Sequence, residues 1–119
     1  MKQYLGVDII EISRVEESVA RWGNGFLDRI FTPVEKELYN DKIESLAARF
    51  AAKEAVVKAL GCREMIYRDV EILSESDGRP SLKLHGRALT IAGNLGITEF
   101  AVSLSHDRQN AVAIVSAIV

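Results

Sequence analysis

Phe50-Ala51-Ala52-Lys53-Glu54-Ala55-Val56-Val57-Lys58-Ala59-Leu60-Gly61 is the run around which the rest of the chain can be arranged. It is dense in helix formers, and Gly61 stands where a helix would stop in a left-handed C-terminal residue. Drawn at about 100° per residue with Arg49 added, Ala51, Ala52, Ala55, Val56 and Ala59 cover one broad side, while Phe50 and Val57 form a second apolar patch. A helix that is apolar round most of its circumference is a buried one. The reading is a long central helix from Glu44 or Ser45 to Leu60. Its charges fall on two narrow stripes, Arg49 with Lys53 and Glu54 with Lys58. The second pair has the favourable i, i+4 order of a helix salt bridge. The first sets like charges one turn apart, which is unfavourable unless something anionic sits beside them: an acidic side chain, a partner protein or a phosphate.

Outward from this helix the chain reads as short elements. Tyr4 to Ile10 is a strand run, β-branched and apolar apart from Asp8. Aspartate is depleted in strands and is seldom buried unless paired or ligating a metal. Asp8 is therefore a solvated edge residue, half of an ion pair, or a ligand for a hard cation. Mg2+ takes one or two protein carboxylates and completes its shell with water and phosphate oxygens, so Asp8 and Glu54 suffice for it. Ser13 is expected to cap a short helix, with Glu16 closing a capping box, and Gly23-Asn24-Gly25 to break it. Trp22 is read as a hydrophobic anchor. Phe26 to Ile30 is a short helical segment. Thr32, Pro33 and Glu35 form the cap, first turn and capping-box partner of the next helix. The stretch Glu35-Lys36-Glu37 reads as a solvated helix face.

After the central helix, Asp69 to Leu73 and Ser81 to Leu84 read as a hairpin around Asp77-Gly78. Gly86 to Asn94 is a helix, with His85 before it a surface strand residue, and Ile97 to Ser105 and Ala111 to Ile118 are strands. The last of these does not alternate apolar with polar residues, as in strands covered on both faces. Its second cover is either the protein's own helices or another subunit. The expected class is α+β: a small antiparallel sheet packed against a long central helix and shorter helices, in a single domain over residues 1–119.

Composition excludes several classes. The chain has 119 residues, 48% of them apolar, a formal net charge of −2 and one cysteine, Cys62. That apolar fraction argues against disorder, and the charge gives no case for nucleic acid. A lone cysteine forms no internal disulfide, and Cys62, with no histidine suggested nearby, reads as packing rather than nucleophile. The apolar run Ala111 to Val119 is too short for a membrane-spanning helix. The N-terminus opens into a strand rather than a signal peptide, so a cytoplasmic location is expected.

Gly6-Val7-Asp8-Ile9 and Arg49 to Gly61 together resemble the two signature segments of phosphopantetheinyl transferases, with the length and order of the small holo-(acyl-carrier-protein) synthase group. Asp77-Gly78-Arg79-Pro80 is similar to that group's Gly-x-Pro turn, and Val102-Ser103-Leu104-Ser105-His106 to its Ser-x-Ser-His strand end. The likeness is collinear from about Leu5 to Val115. It implies transfer of the 4′-phosphopantetheine arm of coenzyme A to a serine of apo acyl carrier protein, with release of 3′,5′-ADP, in a homotrimer whose sites lie between subunits.

On this resemblance Asp8 and Glu54 hold Mg2+, and Lys58 serves the phosphates or the transition-state charge. Arg49, Lys53, Gly61, Gly78, Pro80 and His106 meet coenzyme A. Arg14, Arg21, Phe26 and Arg29 dock the acidic carrier protein. Two departures stand out. The family's Gly-rich Thr-Gly-x-Gly segment is replaced after Gly61 by Cys62-Arg63-Glu64-Met65, in a stretch that looks shorter. Glu16, Glu17 and Asp28 also dilute the basic docking helix. The alternative is therefore a coenzyme A- or nucleotide-binding module that has lost transfer; a purely structural oligomer would leave Asp8 and the basic stripe without a purpose.

Overall fold

The computed structural model describes residues 2–64 and 67–119. In order, the chain forms β1 (Gln3–Glu11), α1 (Ile12–Trp22), α2 (Asn24–Ile30), α3 (Pro33–Tyr39), α4 (Ile43–Leu60), a 3₁₀ turn (Tyr67–Asp69), β2 (Val70–Ser74), β3 (Pro80–Leu84), α5 (Gly86–Asn94), β4 (Glu99–His106) and β5 (Asn110–Ile118). An antiparallel sheet has the order β1-β5-β4, and β2-β3 is a separate antiparallel hairpin.

α4 is the axis of the molecule, as its composition requires. Ala51, Ala52, Ala55, Val56 and Ala59 are buried against Ala113 and Val115 of β5 and Val70 and Ile72 of β2. Small side chains let the helix lie close to both sheets. It ends at Gly61, whose φ of 68° is the left-handed value expected there and whose N–H donates to the Val57 carbonyl at 2.9 Å. β5 is central in its sheet, with Ala111, Ala113, Val115 and Ala117 buried toward α4. The opposite face carries Leu5, Val7 and Ile9 of β1 beside Ile114 of β5, all four exposed in the single chain. The chain's own helices do not cover this face.

Several local expectations need correction. Ser13 does not cap α1. β1 runs straight into the helix, and the Ile12 N–H donates to the Gln109 carbonyl at 2.8 Å, so the turn between β4 and β5 satisfies the first donor instead. Glu16 therefore closes no box. Of Gly23-Asn24-Gly25 only Gly23, at φ 54°, interrupts the helices; Asn24 and Gly25 already belong to α2. Trp22 is no core anchor: it is 60% exposed, with the Arg21 guanidinium 5.0 Å from its ring centre. The α3 cap forms as expected, Thr32 and Glu35 bonding reciprocally. Glu35 itself is not on a solvated face but fully buried. His85 stands at the N-terminus of α5 rather than in the strand. Met65, within the segment that departs from the family pattern, and its neighbour Ile66 lie outside the described residues.

Candidate active site

The site begins with a glycine. At Gly6 a Cβ would stand 1.8 Å from the Ala55 carbonyl oxygen and 3.0 Å from the Ala59 nitrogen, so only glycine lets β1 lie this close to α4. Side chains alternate along a strand, and Asp8 is the next residue on that inward face. It meets the C-terminal part of α4. Lys58 Nζ donates to Asp8 Oδ1 and to the Val7 carbonyl, each at 3.0 Å. Asp8 is mostly covered, its side chain 19% exposed, whereas that of Lys58 is 55% exposed. The Gly-x-Asp spacing is thus one device: the glycine sets the helix's distance, and the aspartate uses the proximity.

Glu54 lies one turn before Lys58 but is not bridged to it among the described residues. Its Oε1 accepts a hydrogen bond from the Tyr67 hydroxyl at 2.6 Å. Burial, the bond to Glu54 and the negative fields of Glu54 and Asp8 push the Tyr67 phenol up to about 12. It stays protonated as a donor, and it senses both carboxylates. Asp8, Glu54, Lys58 and Tyr67 therefore share one partly open region where β1 and the 3₁₀ turn meet α4. Tyr67 had no motif to announce it.

The other charged stripe goes inward. Lys53 is fully buried: Nζ donates to Glu35 Oε1 at 2.7 Å, to the Tyr67 carbonyl at 3.1 Å and to the Val70 carbonyl. Burial lowers its pKa below the ordinary lysine value, and Glu35 opposes that shift. Arg49 is 4% exposed, with Nε on the Ile72 carbonyl at 2.9 Å, a terminal nitrogen on Ser74 Oγ at 3.0 Å, and its guanidinium 3.6 Å from the Tyr39 ring centre. Of the three anions open to this stripe, an acidic side chain takes the place. Glu35 also accepts from the Thr32 and Ile72 N–H groups, each at 2.9 Å, so its carboxylate is fully engaged. Arg49 and Lys53, expected to contact coenzyme A, are thus buried in the single chain and bonded to protein groups. The like-charge spacing was the signal for Glu35.

The remaining candidates lie apart. Gly78 takes φ 89° in the β2–β3 turn, where the Arg79 N–H donates to Asp77 Oδ1 at 3.0 Å, and Pro80 opens β3. His106 is exposed at the end of β4, its ring nitrogen 3.4 Å from the Asp107 carbonyl. Among the described residues no hydrogen bond joins Gly78, Pro80 or His106 to Asp8, Glu54 or Lys58. Arg14, Arg21 and Arg29 are exposed on α1 and α2, and Ser18, Trp22, Gly25, Phe26 and Arg29 line a groove between these helices. Asp28 is paired with Lys36.

Two carboxylates suit a hard cation that draws its other ligands from water and a bound phosphate. No group of three or more His, Cys, Asp or Glu able to hold a metal occurs among the described residues, so Asp8 and Glu54 fit such an ion only in that shared mode. Nor, among the described residues, is any helix long and apolar enough to cross a membrane.

Comparison with known proteins places this geometry in context. The family model of the 4′-phosphopantetheinyl transferase superfamily matches residues 4–115. A holo-[acyl-carrier-protein] synthase of Dehalococcoides mccartyi is 54% identical over 115 residues, covering 96% of this chain and 97% of that protein. One of Alkaliphilus oremlandii is 46% identical over 114 residues, covering 92% and 93%. The crystal structure of Helicobacter pylori holo-[acyl-carrier-protein] synthase in complex with coenzyme A aligns with a TM-score of 0.86 at 33% identity, covering 96% of this chain and 99% of that one.

Proposed function

The chain belongs to the 4′-phosphopantetheinyl transferase superfamily, and we propose on that premise that the region around Asp8, Glu54 and Lys58 moves the phosphopantetheine arm of coenzyme A onto apo acyl carrier protein. The carrying observation is that one glycine-permitted contact sets Asp8 beside Lys58, with Glu54 one turn away on the same helix. In the transfer a carrier serine oxygen bonds to the phosphorus bearing the pantetheine arm, the pyrophosphate P–O bond breaks, 3′,5′-ADP leaves, and the serine gives up its proton. Such a reaction needs alignment and charge neutralisation more than covalent help.

Asp8 and Glu54 are the residues that would hold Mg2+, which supplies charge neutralisation to the pyrophosphate when bound. Lys58 is a mobile ammonium on an exposed stem, able to exchange Asp8 for a phosphate oxygen. The apolar face of Leu5, Val7, Ile9 and Ile114 meets neighbouring copies in a homotrimer; left open it would be an association hazard. Gly61, Gly78, Pro80 and His106 then meet coenzyme A at the boundary between copies. Arg14, Arg21, Phe26 and Arg29 receive the acidic carrier, whose charge they complement despite Glu16 and Glu17. The reading is one domain working in the cytoplasm in fatty acid biosynthesis.

The test is intact-mass spectrometry of apo acyl carrier protein incubated with coenzyme A, Mg2+ and this protein, beside the Asp8→Ala/Glu54→Ala variant. A gain of one phosphopantetheine arm, absent with the variant, is expected. No gain with several carriers, despite Mg2+-dependent coenzyme A binding, would leave a binding module altered after Gly61.

A further inference from the structure

We propose that Tyr67 is the positioning residue of the metal site, its hydroxyl fixing Oε1 of Glu54 so that Oε2 is the oxygen offered to the cation. The inference rests on the preceding reading of Asp8 and Glu54 as the carboxylates that hold the ion.

The two carboxylates are supported in different ways. Asp8 is short, stands on a strand, and is met by a charged donor on a flexible exposed stem. Glu54 has three rotatable side-chain bonds and one fixed donor, the phenol at 2.6 Å. A neutral donor suits this role. It occupies one oxygen of the carboxylate without adding positive charge that would repel a cation, whereas an ammonium there would compete with it. Groups that hold a ligand's orientation in this way are typically worth about 10- to 100-fold in metal affinity.

Tyr67 is held from three directions. Its ring meets Phe50 edge-on at 5.7 Å and 88°, and Phe50 meets Phe26 at 6.0 Å. Its carbonyl accepts from buried Lys53 at 3.1 Å. The far end of its 3₁₀ turn is pinned at Asp69, whose carbonyl accepts from the His85 N–H at 2.7 Å and whose carboxylate accepts from the Arg87 N–H at 3.0 Å. The phenol is thus mounted on the buried ionic core, and through it Glu54 is tied to that core.

The experiment measures Mn2+ binding to the purified protein with coenzyme A present, from the paramagnetic resonance signal of free Mn2+, for wild type, Tyr67→Phe and Glu54→Gln. Tyr67→Phe keeps the ring and its contact with Phe50 and removes only the hydroxyl. Its Mn2+ dissociation constant is expected to rise about 10-fold, within the range for such outer groups. Its KM for carrier protein and its melting temperature are expected to stay at the wild-type values. A merely structural tyrosine would move the melting temperature and leave metal affinity alone. If Tyr67→Phe binds Mn2+ as wild type does while Glu54→Gln does not, the Tyr67 proposal falls and the Glu54 ligand stands. If wild type binds no Mn2+, or Glu54→Gln binds it equally well, the metal-site reading fails and the Tyr67 role with it.

Discussion

The two charged stripes of α4 begin from similar sequence and end in opposite environments. Arg49 and Lys53 turn toward α3 and β2, lose nearly all contact with solvent, and are satisfied by Glu35, main-chain carbonyls and an aromatic face. Glu54 and Lys58 turn toward β1 and the 3₁₀ turn, stay partly open, and bond to partners that a ligand can displace. On a helical wheel the stripe of unlike charges looks self-sufficient, and the stripe of like charges calls for an anion from the protein or from a ligand. The structure leaves the first bridge unmade and supplies the second anion from within the chain. The like pair is completed internally by a carboxylate from a helix cap. The unlike pair leaves its own bridge unmade because a strand brings Asp8 within reach of Lys58. Charge on an apolar helix announces a partner; whether that partner is protein or ligand depends on what the other elements bring to the stripe.

Removing a charge from each stripe should separate stability from activity, and Lys53 should give the larger effect. Lys53→Met leaves Glu35 fully buried with N–H donors but without its bonded ammonium. Breaking a buried pair from one side costs about 3–5 kcal/mol, a large share of the roughly 5–15 kcal/mol that holds a domain together. The urea midpoint, measured at fixed protein concentration, should fall sharply, while the folded remainder keeps its KM for coenzyme A. Glu35→Gln with Lys53→Met should recover part of the loss. A wild-type midpoint with a raised KM for coenzyme A would return Lys53 to the phosphate ligands and break the comparison.

Lys58→Met should do the reverse. Losing one charge-stabilising group typically lowers kcat by about 10²-fold or more. The half-exposed pair with Asp8 contributes less than about 1 kcal/mol to stability, because solvent screens it. Transfer rates and the urea midpoint of the same sample decide the matter: a fall in the midpoint matching that of Lys53→Met would make Lys58 structural too.

What the sequence disclosed follows the same division. α4 and its stop at Gly61, the α3 capping box, α5 and the two long strands were legible because period, cap and glycine all act within a few residues. Asp8, Glu54 and Lys58 were legible as a polar set on otherwise apolar elements. Ser13 misled because a strand led directly into the helix and a distant carbonyl satisfied its first donor. Glu35 misled because a capping-box glutamate looks the same in sequence whether its other oxygen faces water or Lys53. Tyr67 carried no signal: its role depends on where the 3₁₀ turn sets its hydroxyl, a fact of three-dimensional packing. The exposed apolar face was legible only as a strand that does not alternate, which leaves its cover unnamed.

The smallest expected effect tests how far the buried stripe extends. Thr32, which caps α3 and bonds to Glu35, also donates its hydroxyl to Glu71 Oε2 at 2.6 Å, and the His85 ring nitrogen lies 3.4 Å from Glu71 Oε1. Burial alone would push the Glu71 carboxyl up, but the Thr32 and His85 hydrogen bonds, with the charges of His85 and Lys53, hold it below its ordinary value of 4.5. A depressed carboxyl binds protons less readily folded than unfolded. It therefore contributes stability above the unfolded value, which is lost as pH falls through the lower folded value. Stability should decline below about pH 4.5, and Glu71→Gln, which has no such proton to take up, should decline less steeply there. Urea midpoints collected between about pH 6 and pH 3 compare the two slopes. Equal slopes would mean that Glu71 is electrostatically separate from the Glu35–Lys53 pair, and the buried stripe would end at the α3 cap.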